Sequence, residues 1–281
     1  MTEPSRDAPY RWLGSPRWYL WDGGFLLLAQ AQGVVPLHSH HAIQIVLSLE
    51  GTVMICGPER DWCEGRGVIV RPDAVHSFDG NGAVGAMLFV DPESSEGAWL
   101  QSILLRDITI VPDARIASSA SELRAFLETP FESMEIGALI RHCVLALSPG
   151  APPARRLDTR VTTVLTHIQA CHDLRVSLES AAKMAFLSPS RFAHLFKDQV
   201  GLPFSRYMLW RKMTRAMLAI GSERTIAAAA HAADFADAAH LTRTFYQMVG
   251  MAPSVLMRGT FSEIASPFRA PGEEAPLVAH Q

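Results

Sequence analysis

The C-terminal third of the chain carries one pattern twice, at an offset of 49 residues: Phe186, Ser188, Phe192, Phe196 and Gly201 are answered by Phe235, Asp237, Leu241, Phe245 and Gly250. Ser188 and Asp237 are residues that cap helix N-termini, and Gly201 and Gly250 are residues that end helices. The apolar positions between them fall at helical spacing. One such pattern is weak evidence, because short amphipathic helices are common. A repeat that keeps caps, core positions and terminators in register points to two helix-turn-helix units.

In the first copy, Leu178, Ala181, Ala182 and Ala185 form a helix whose small residues permit close packing. Ser188 then caps a second helix with Pro189 at its first position. Phe192, Leu195 and Phe196 face the core. The other face presents Ser190, Arg191, Ala193, His194 and Lys197, the polar set that a recognition helix offers to a major groove and its flanking phosphates. The second copy runs through Ile226, Ala229, Ala230 and Phe235, restarts at Asp237, buries Leu241 and Phe245, and turns Ala238, Ala239, His240, Thr242, Arg243 and Tyr246 outward. Tyr207 to Leu218 reads as one continuous connecting helix with Arg211, Lys212 and Arg215 on its polar side. A rigid connector would hold two readers at one separation, and adjacent major grooves on one face of DNA are about 34 Å apart.

Charge is distributed to match. Residues 158–259 hold twelve Lys/Arg against seven Asp/Glu, while residues 1–157 hold twelve against eighteen. The repeated part is thus basic in an acidic chain, the sign expected of a surface that meets phosphates, although solvated helical surfaces reach the same excess.

Residues 25 to 90 read as strands. Ile43-Gln44-Ile45-Val46-Leu47, Thr52-Val53-Met54-Ile55 and Val68-Ile69-Val70 are separated by Gly, Pro and Asp at short intervals, the spacing of a small barrel or sandwich. After Pro112 the period becomes helical: Ile116, Leu123 and Leu127, a break near Pro130, then Ile136, Leu139, Ile140, Cys143 and Leu147. Ser148-Pro149-Gly150-Ala151-Pro152-Pro153 cannot continue a helix and reads as a linker. Beyond Thr260, prolines and a glycine with few large apolar residues predict a poorly ordered tail. The expected organisation is an α+β two-domain chain: a barrel over 1–112, a helical pair over 113–148, a linker over 149–157, an all-α DNA-binding domain over 158–259, and a tail over 260–281. The aromatic cluster Tyr10, Trp12, Trp18, Tyr19 and Trp21 reads either as a lid over an apolar ligand or as cover for the end of the barrel.

No apolar run approaches the roughly 20 residues that span a bilayer, and Met-Thr-Glu-Pro-Ser-Arg-Asp has no signal-peptide character, so a cytoplasmic protein without membrane contact is expected. Cys56, Cys63, Cys143 and Cys171 show neither CxxC pairing nor zinc-finger spacing. Cys56 and Cys63 read as small apolar residues rather than as a thiol switch.

Leu187-Ser188-Pro189-Ser190-Arg191-Phe192-Ala193-His194-Leu195-Phe196-Lys197, with Gly201, Tyr207, Arg211 and Ala216, resembles the first half of the AraC/XylS-type DNA-binding domain. Ile226, Ala230, Phe235, Asp237, Leu241, Arg243, Phe245, Gly250, Pro253 and Arg258 resemble its second half, so the resemblance covers about 100 residues. It implies an effector-responsive transcription factor, an activator rather than a repressor, acting on double-stranded DNA with RNA polymerase as a further partner. Base contacts are then expected from Ser190, His194 and Arg243, and phosphate contacts from Arg191, Lys197, His240 and Thr242. Two departures from the family stand out. Asp234 occupies a turn-glycine position, and Ala238 and Ala239 replace polar readers, so Ala239 would offer at most a thymine-methyl contact.

Gly33, His38, His40, Gln44 and Gly51, then Gly67, Pro72 and His76, resemble the two motifs of the cupin barrel. In metal-bearing cupins these supply three histidines and a glutamate. Here Gln44 stands at the glutamate position, leaving a neutral set that disfavours a hard cation and still admits zinc, nickel, copper or iron. His38, His40, Gln44 and His76 are therefore candidates for a divalent transition metal or for the lining of an organic effector pocket. His41 is expected on the opposite strand face. With no carboxylate in the shell and no nucleophile or acid/base pair arranged by spacing, a metal-dependent enzyme is disfavoured. Leu139, Ile140, Cys143 and Leu147 form an apolar helix face that either dimerises or packs onto the barrel.

Overall fold

The short apolar runs of the first 112 residues fold as strands, each ended by a turn residue. They are β1 (Arg11–Trp21), β2 (Gly24–Gln32), β3 (Val34–His38), β4 (Ile43–Glu50), β5 (Val53–Cys56), β6 (Cys63–Gly65), β7 (Gly67–Val70), β8 (His76–Asp79) and β9 (Val84–Val90). A short helix α1 (Ser95–Gln101) and strand β10 (Ile108–Val111) follow. Helices then take over: α2 (Asp113–Glu128), α3 (Ser133–Leu147), α4 (Thr159–Ala170), α5 (Leu178–Met184), α6 (Pro189–Val200), α7 (Phe204–Glu223), α8 (Ile226–Ala232), α9 (Ala238–Val249) and α10 (Ser254–Met257), before a last strand β11 (Thr260–Glu263). The computed structural model describes residues 11–128, 133–147, 157–170, 174–223 and 225–267. The break at Pro130, nearly all of the linker, Tyr10, Cys171 and the end of the tail lie outside those residues.

Two compact units result. The first comprises Met1–Pro153 with Thr242–Arg269, and the second is built on Ala154–Leu241. In the first, a seven-stranded sheet of order β10-β7-β4-β9-β2-β1-β11 accompanies a four-stranded sheet of order β3-β8-β5-β6. Strand β4 is buried from Ile43 to Leu49. Successive side chains point to opposite faces of a strand. Ile43, Ile45, Leu47 and Leu49 share one core with Leu26, Leu28, Leu88 and Val90, with Trp99 and Leu100 of α1, and with Ile116, Leu123 and Phe126 of α2. Gln44, Val46 and, from β9, Met87 and Phe89 occupy the other face. Burial on both faces is why β4 reads as an almost unbroken apolar run rather than as an alternation.

The core also settles where α3 packs. Ile140, Cys143 and Leu147 are at most 2% exposed within it, and Leu139 packs against it. Of the two expectations for Leu139, Ile140, Cys143 and Leu147, packing onto the chain's own core is the one the structure displays, which leaves this face unavailable as a dimerisation seam.

A second correction concerns the ends of the first unit. The expected tail begins instead with β11, which pairs in parallel with β1 from Arg17↔Thr260 to Leu20↔Glu263 and continues to the buried Ile264. Of the aromatic cluster, Trp18, Tyr19 and Trp21 belong to β1 and are buried in the sheet, which makes them part of the core rather than a lid; Tyr10 and the Trp12 side chain lie outside the described residues. The Trp18 ring lies 4.3 Å from that of Phe261, and its Nε1 donates to the Leu256 carbonyl at 3.1 Å. On its way there the chain passes close against β3. Gly250 has φ 74°, and a β-carbon there would fall 2.1 Å from Val35 Cγ1, so both backbone angle and space require glycine.

The second unit is held by apolar helix faces. Val161, Val164, Leu165 and Ile168 of α4 meet Ala181 and Ala182 of α5, Phe192 and Phe196 of α6, and Phe204 and Tyr207 of α7. Phe204 and Tyr207 lie edge-on to Phe196, at centroid separations of 5.2 and 5.4 Å. Ser177, Ser188 and Thr225 each cap a helix by accepting from the backbone N–H three residues on, and Gly201 ends α6 in the left-handed conformation at φ 100°. The connecting helix is longer than its sequence core: α7 has 20 residues, about 30 Å at 1.5 Å per residue.

The repeat slips by one residue at its turns. Phe186 and Asp234 both hold positive φ, at 55° and 58°, and Leu187 and Phe235 follow them with backbone bonds back to Ala182 and Ala230. Ala236 is therefore the extra residue of the second turn. Phe235 is buried at 7% and corresponds to Leu187, whereas Phe186 is 94% exposed. The equation of Phe186 with Phe235 as core positions is corrected, since two aromatic residues matched in type while the backbone placed them differently.

Replacing Trp18 by Phe keeps most of the buried ring and removes one of the hydrogen bonds to the Leu256 carbonyl, which still accepts from the Gly259 N–H at 3.0 Å. The lost bond should cost about 0.5–1.5 kcal/mol in chemical denaturation, and an unchanged midpoint at unchanged slope would show it to be worth nothing.

Candidate functional site

Two groups of residues carry the chemistry. The first is on the helix-turn-helix units. Ser190, Arg191, His194 and Lys197 are all exposed on α6, spaced so that they share one face. With the caps of the two copies 49 residues apart, their counterparts on α9 are Ala239, His240, Arg243 and Tyr246. Ala239, Arg243 and Tyr246 are exposed, and Thr242 is half-buried. His240 is half-buried as well: its ring packs edge-on against Phe235 at 5.2 Å, and its backbone N–H donates to Asp237 Oδ1 at 2.6 Å, which caps α9. Tyr246 stands where the first copy has Lys197, a substitution the sequence displayed and the phosphate-contact expectation passed over.

The second group lies where the two sheets of the first unit face each other. His38 ends β3 and is paired in register with His76, the first residue of β8. His40 follows in the turn, and Gln44 projects from β4 of the other sheet. Donor atoms of His38, His40 and His76 all lie within 4.8 Å of one another. Gln44 Oε1 is 3.0 Å from His40 Nε2 and 2.9 Å from His76 Nε2. The Phe89 ring stands edge-on to His40 at 5.2 Å.

The backbone fixes the tautomers. His38 Nδ1 is 2.9 Å from the Pro36 carbonyl, His40 Nδ1 2.9 Å from that of Ala42, and His76 Nδ1 3.0 Å from that of Ala74. A carbonyl only accepts, so each Nδ1 carries the hydrogen. A second proton is opposed by burial, reinforced by the neighbouring imidazoles. His40 is pushed down to about 4 and His76 to about 2, and burial lowers His38 as well. All three rings are then neutral, with Nε2 lone pairs pointing into one space. Against two such acceptors the Gln44 carboxamide is satisfied either by turning its NH2 to them or by sharing a cation with them.

This donor set fits a transition metal. Imidazole ligands that give their other ring N–H to a backbone carbonyl are the usual supporting arrangement of metal-bound histidine. Three neutral nitrogens and an amide oxygen without a carboxylate suit a borderline ion better than Mg2+ or Ca2+. His41, expected to stand apart, has its own partners. It is 2% exposed, with Nδ1 3.3 Å from Asp73 Oδ2 and Nε2 bonded to Glu93 Oε1. Burial lowers its pKa, but the charges and hydrogen bonds of Glu93 and Asp73 outweigh this and raise it to about 10. A ring that keeps both protons has no lone pair for a metal, and it occupies the two nearby carboxylates.

Among the described residues, no helix is long and apolar enough to cross a membrane. Residues 181–259 match a family described as a helix-turn-helix domain. The probable transcriptional regulator LumQ of Photobacterium leiognathi is 23% identical over 226 residues, which cover 77% of this chain and 90% of that protein. The crystal structure of ToxT from Vibrio cholerae O395 has a TM-score of 0.53 at 10% identity, over 88% of this chain and 97% of that one. That of unsaturated fatty acid-bound wild-type ToxT from Vibrio cholerae strain SCE256 has a TM-score of 0.51 at 10% identity, over 91% and 97%. At such identity the structures share the fold alone. The matched segment takes in both helix pairs of the repeat, so residues 181–259 form a helix-turn-helix domain, in a chain similar over most of its length to a probable transcriptional regulator.

Proposed function

We propose that the chain activates transcription in the cytoplasm by reading two half-sites of double-stranded DNA, under control of a ligand held between the sheets of its first unit. The observation that carries this reading is the pair of capped helices α6 and α9, each with a buried apolar face and an exposed face of polar or small residues. Ser190 and His194 on the first and Arg243 on the second are the base readers, while Arg191, Lys197, His240 and Thr242 position the phosphate backbone. Ala239 adds an apolar contact. RNA polymerase is the further partner that activation requires.

The two helices read unequally. The second carries one long polar reader, Arg243, beside the small Ala238 and Ala239, so the half-site under α9 is read with less stringency than the one under α6. The ligand of the first unit is a small molecule. ToxT, which shares the fold, has been crystallised with an unsaturated fatty acid, and an apolar acid is one chemistry consistent with the walls offered here by Met87 and Phe89.

A transition-metal ion is the second reading of that signal, and one observation favours it: three Nδ1 hydrogens committed to backbone carbonyls leave three neutral Nε2 donors converging beside Gln44. His38, His40 and His76 would hold the ion, with the Gln44 oxygen as a fourth donor. The ion would supply charge to an otherwise neutral interior.

Two measurements test these readings. In titrations at fixed salt against a duplex selected from a random pool, Arg243→Ala and His194→Ala should each weaken binding by about 1–3 kcal/mol and relax the preference at one base position; wild-type affinity and specificity in either variant would remove that residue from the base readers. Protein purified without an affinity tag should take up about one equivalent of zinc and unfold at a higher temperature when loaded, by about 2.7 kcal/mol of added stability at a hundredfold excess over Kd. His76→Ala should lose both responses, whereas equal uptake in wild type and variant, or none in either, ends the metal reading.

A further inference from the structure

Both helix-turn-helix turns put a residue other than glycine into the left-handed conformation, and only one of the two side chains is tied down. Phe186, in the first turn, projects into solvent. Asp234, in the second, is gripped from two elements. Lys212 Nζ on α7 donates to Asp234 Oδ2 at 2.8 Å and to the Asp234 carbonyl at 3.0 Å. Arg175 Nε, in the segment leading into α5, donates to Asp234 Oδ1 at 3.2 Å. One residue thus joins the entrance of the first helix-turn-helix, the connecting helix and the turn from which the second recognition helix starts.

The backbone alone does not call for this residue, because glycine reaches φ 58° without steric cost. Nor does an exposed ion pair add much to folding. Asp234 and Arg175 are 37% and 75% exposed, and pairs of that kind contribute little. Lys212 is more enclosed, at 23%, and its ammonium is the main influence holding the Asp234 carboxyl below the usual carboxylate range. What the three-way contact removes is freedom of one helix pair to turn against the other. For two linked readers, that freedom decides how far the second binding event gains from the first. The clamp also stands beside the first reader: Arg175, Lys212 and Asp234 line a cleft of about 700 Å³ together with His194 and Lys197 of α6.

We infer that Asp234 is a positioning residue which, clamped by Lys212 and Arg175, fixes the start of the second recognition helix relative to the first and so sets the half-site spacing the protein accepts. The inference rests on the DNA-binding reading above and assigns a role that the turn itself does not need.

The test uses the full chain and a duplex enriched by the wild type from a random pool. Affinities are compared on that duplex, on one with a single base pair inserted between the half-sites, and on the half-site under α6 alone. Asp234→Gly keeps the turn geometry and removes only the clamp, Asp234→Asn removes the charge, and Lys212→Met removes the main partner. The wild type should lose about tenfold or more on the insertion. Asp234→Gly and Lys212→Met should bind the selected duplex about three- to tenfold more weakly, lose little further on the insertion, and match the wild type on the single half-site. Wild-type discrimination of spacing in the variants overturns the clamp. Equal losses on the single half-site also overturn it, because they would mean that Asp234 supports the fold of the domain rather than its geometry; thermal unfolding of Asp234→Gly at or above the wild-type midpoint is the matching expectation. If the wild type enriches no duplex at all, the DNA-binding reading falls and takes the clamp with it, whereas an enriched duplex with unchanged variants sinks the clamp alone.

Discussion

Burial of β4 on both faces is the constraint on which the first unit depends. One face, Ile43 to Leu49 in alternate steps, draws α1, α2 and α3 onto the sheet. The other brings Gln44 to the histidines of the opposite sheet. Each large apolar side chain removed from water on this strand is worth about 1.5–3 kcal/mol, which offsets the cost of holding an amide and two neutral imidazoles in a dry interior. The candidate ligand site is therefore an exception written into the most buried strand of the fold. Its polar atoms are tolerated because Ala42, Ala74 and Pro36 supply carbonyls for the ring hydrogens, and because Gln44 meets two of the remaining nitrogens.

The same economy of partners separates His41 from its neighbours. One residue from His40, it lies among Asp73 and Glu93 and keeps its second proton, while His40 gives its second proton up. Adjacent histidines in one turn thus serve opposite electrostatic ends, and the difference comes from what faces each ring.

Much of this was legible in the residues. Caps at Ser188 and Asp237 and terminators at Gly201 and Gly250 act through local backbone chemistry, so sequence spacing sufficed to locate α6 and α9. The histidine constellation was legible for a similar reason, since His-x-His and a third histidine after a Gly-Pro pair follow strand alternation. Three features were hidden by their dependence on tertiary context. The slip at the turns was masked because Phe186 and Phe235 share a residue type, while the left-handed backbone fell on Phe186 and Asp234, neither of them the usual glycine. The apolar face of α3 announced burial without naming the surface that buries it. Thr260-Phe261-Ser262-Glu263 is too short and too polar to declare a strand, and it becomes one because β1 offers it an unpaired edge.

That last pairing has a consequence for how the protein is made. The strand that closes the outer edge of β1 leaves the ribosome more than 200 positions after β1 itself. Until then the nascent sheet presents open backbone donors and acceptors beside a tryptophan whose ring has no partner in Phe261, the kind of edge that recruits strands from other chains. Chaperone dependence of synthesis, and any transplant of the first unit into another chain, should accordingly be governed by residues 260–264 as much as by the residues before the linker.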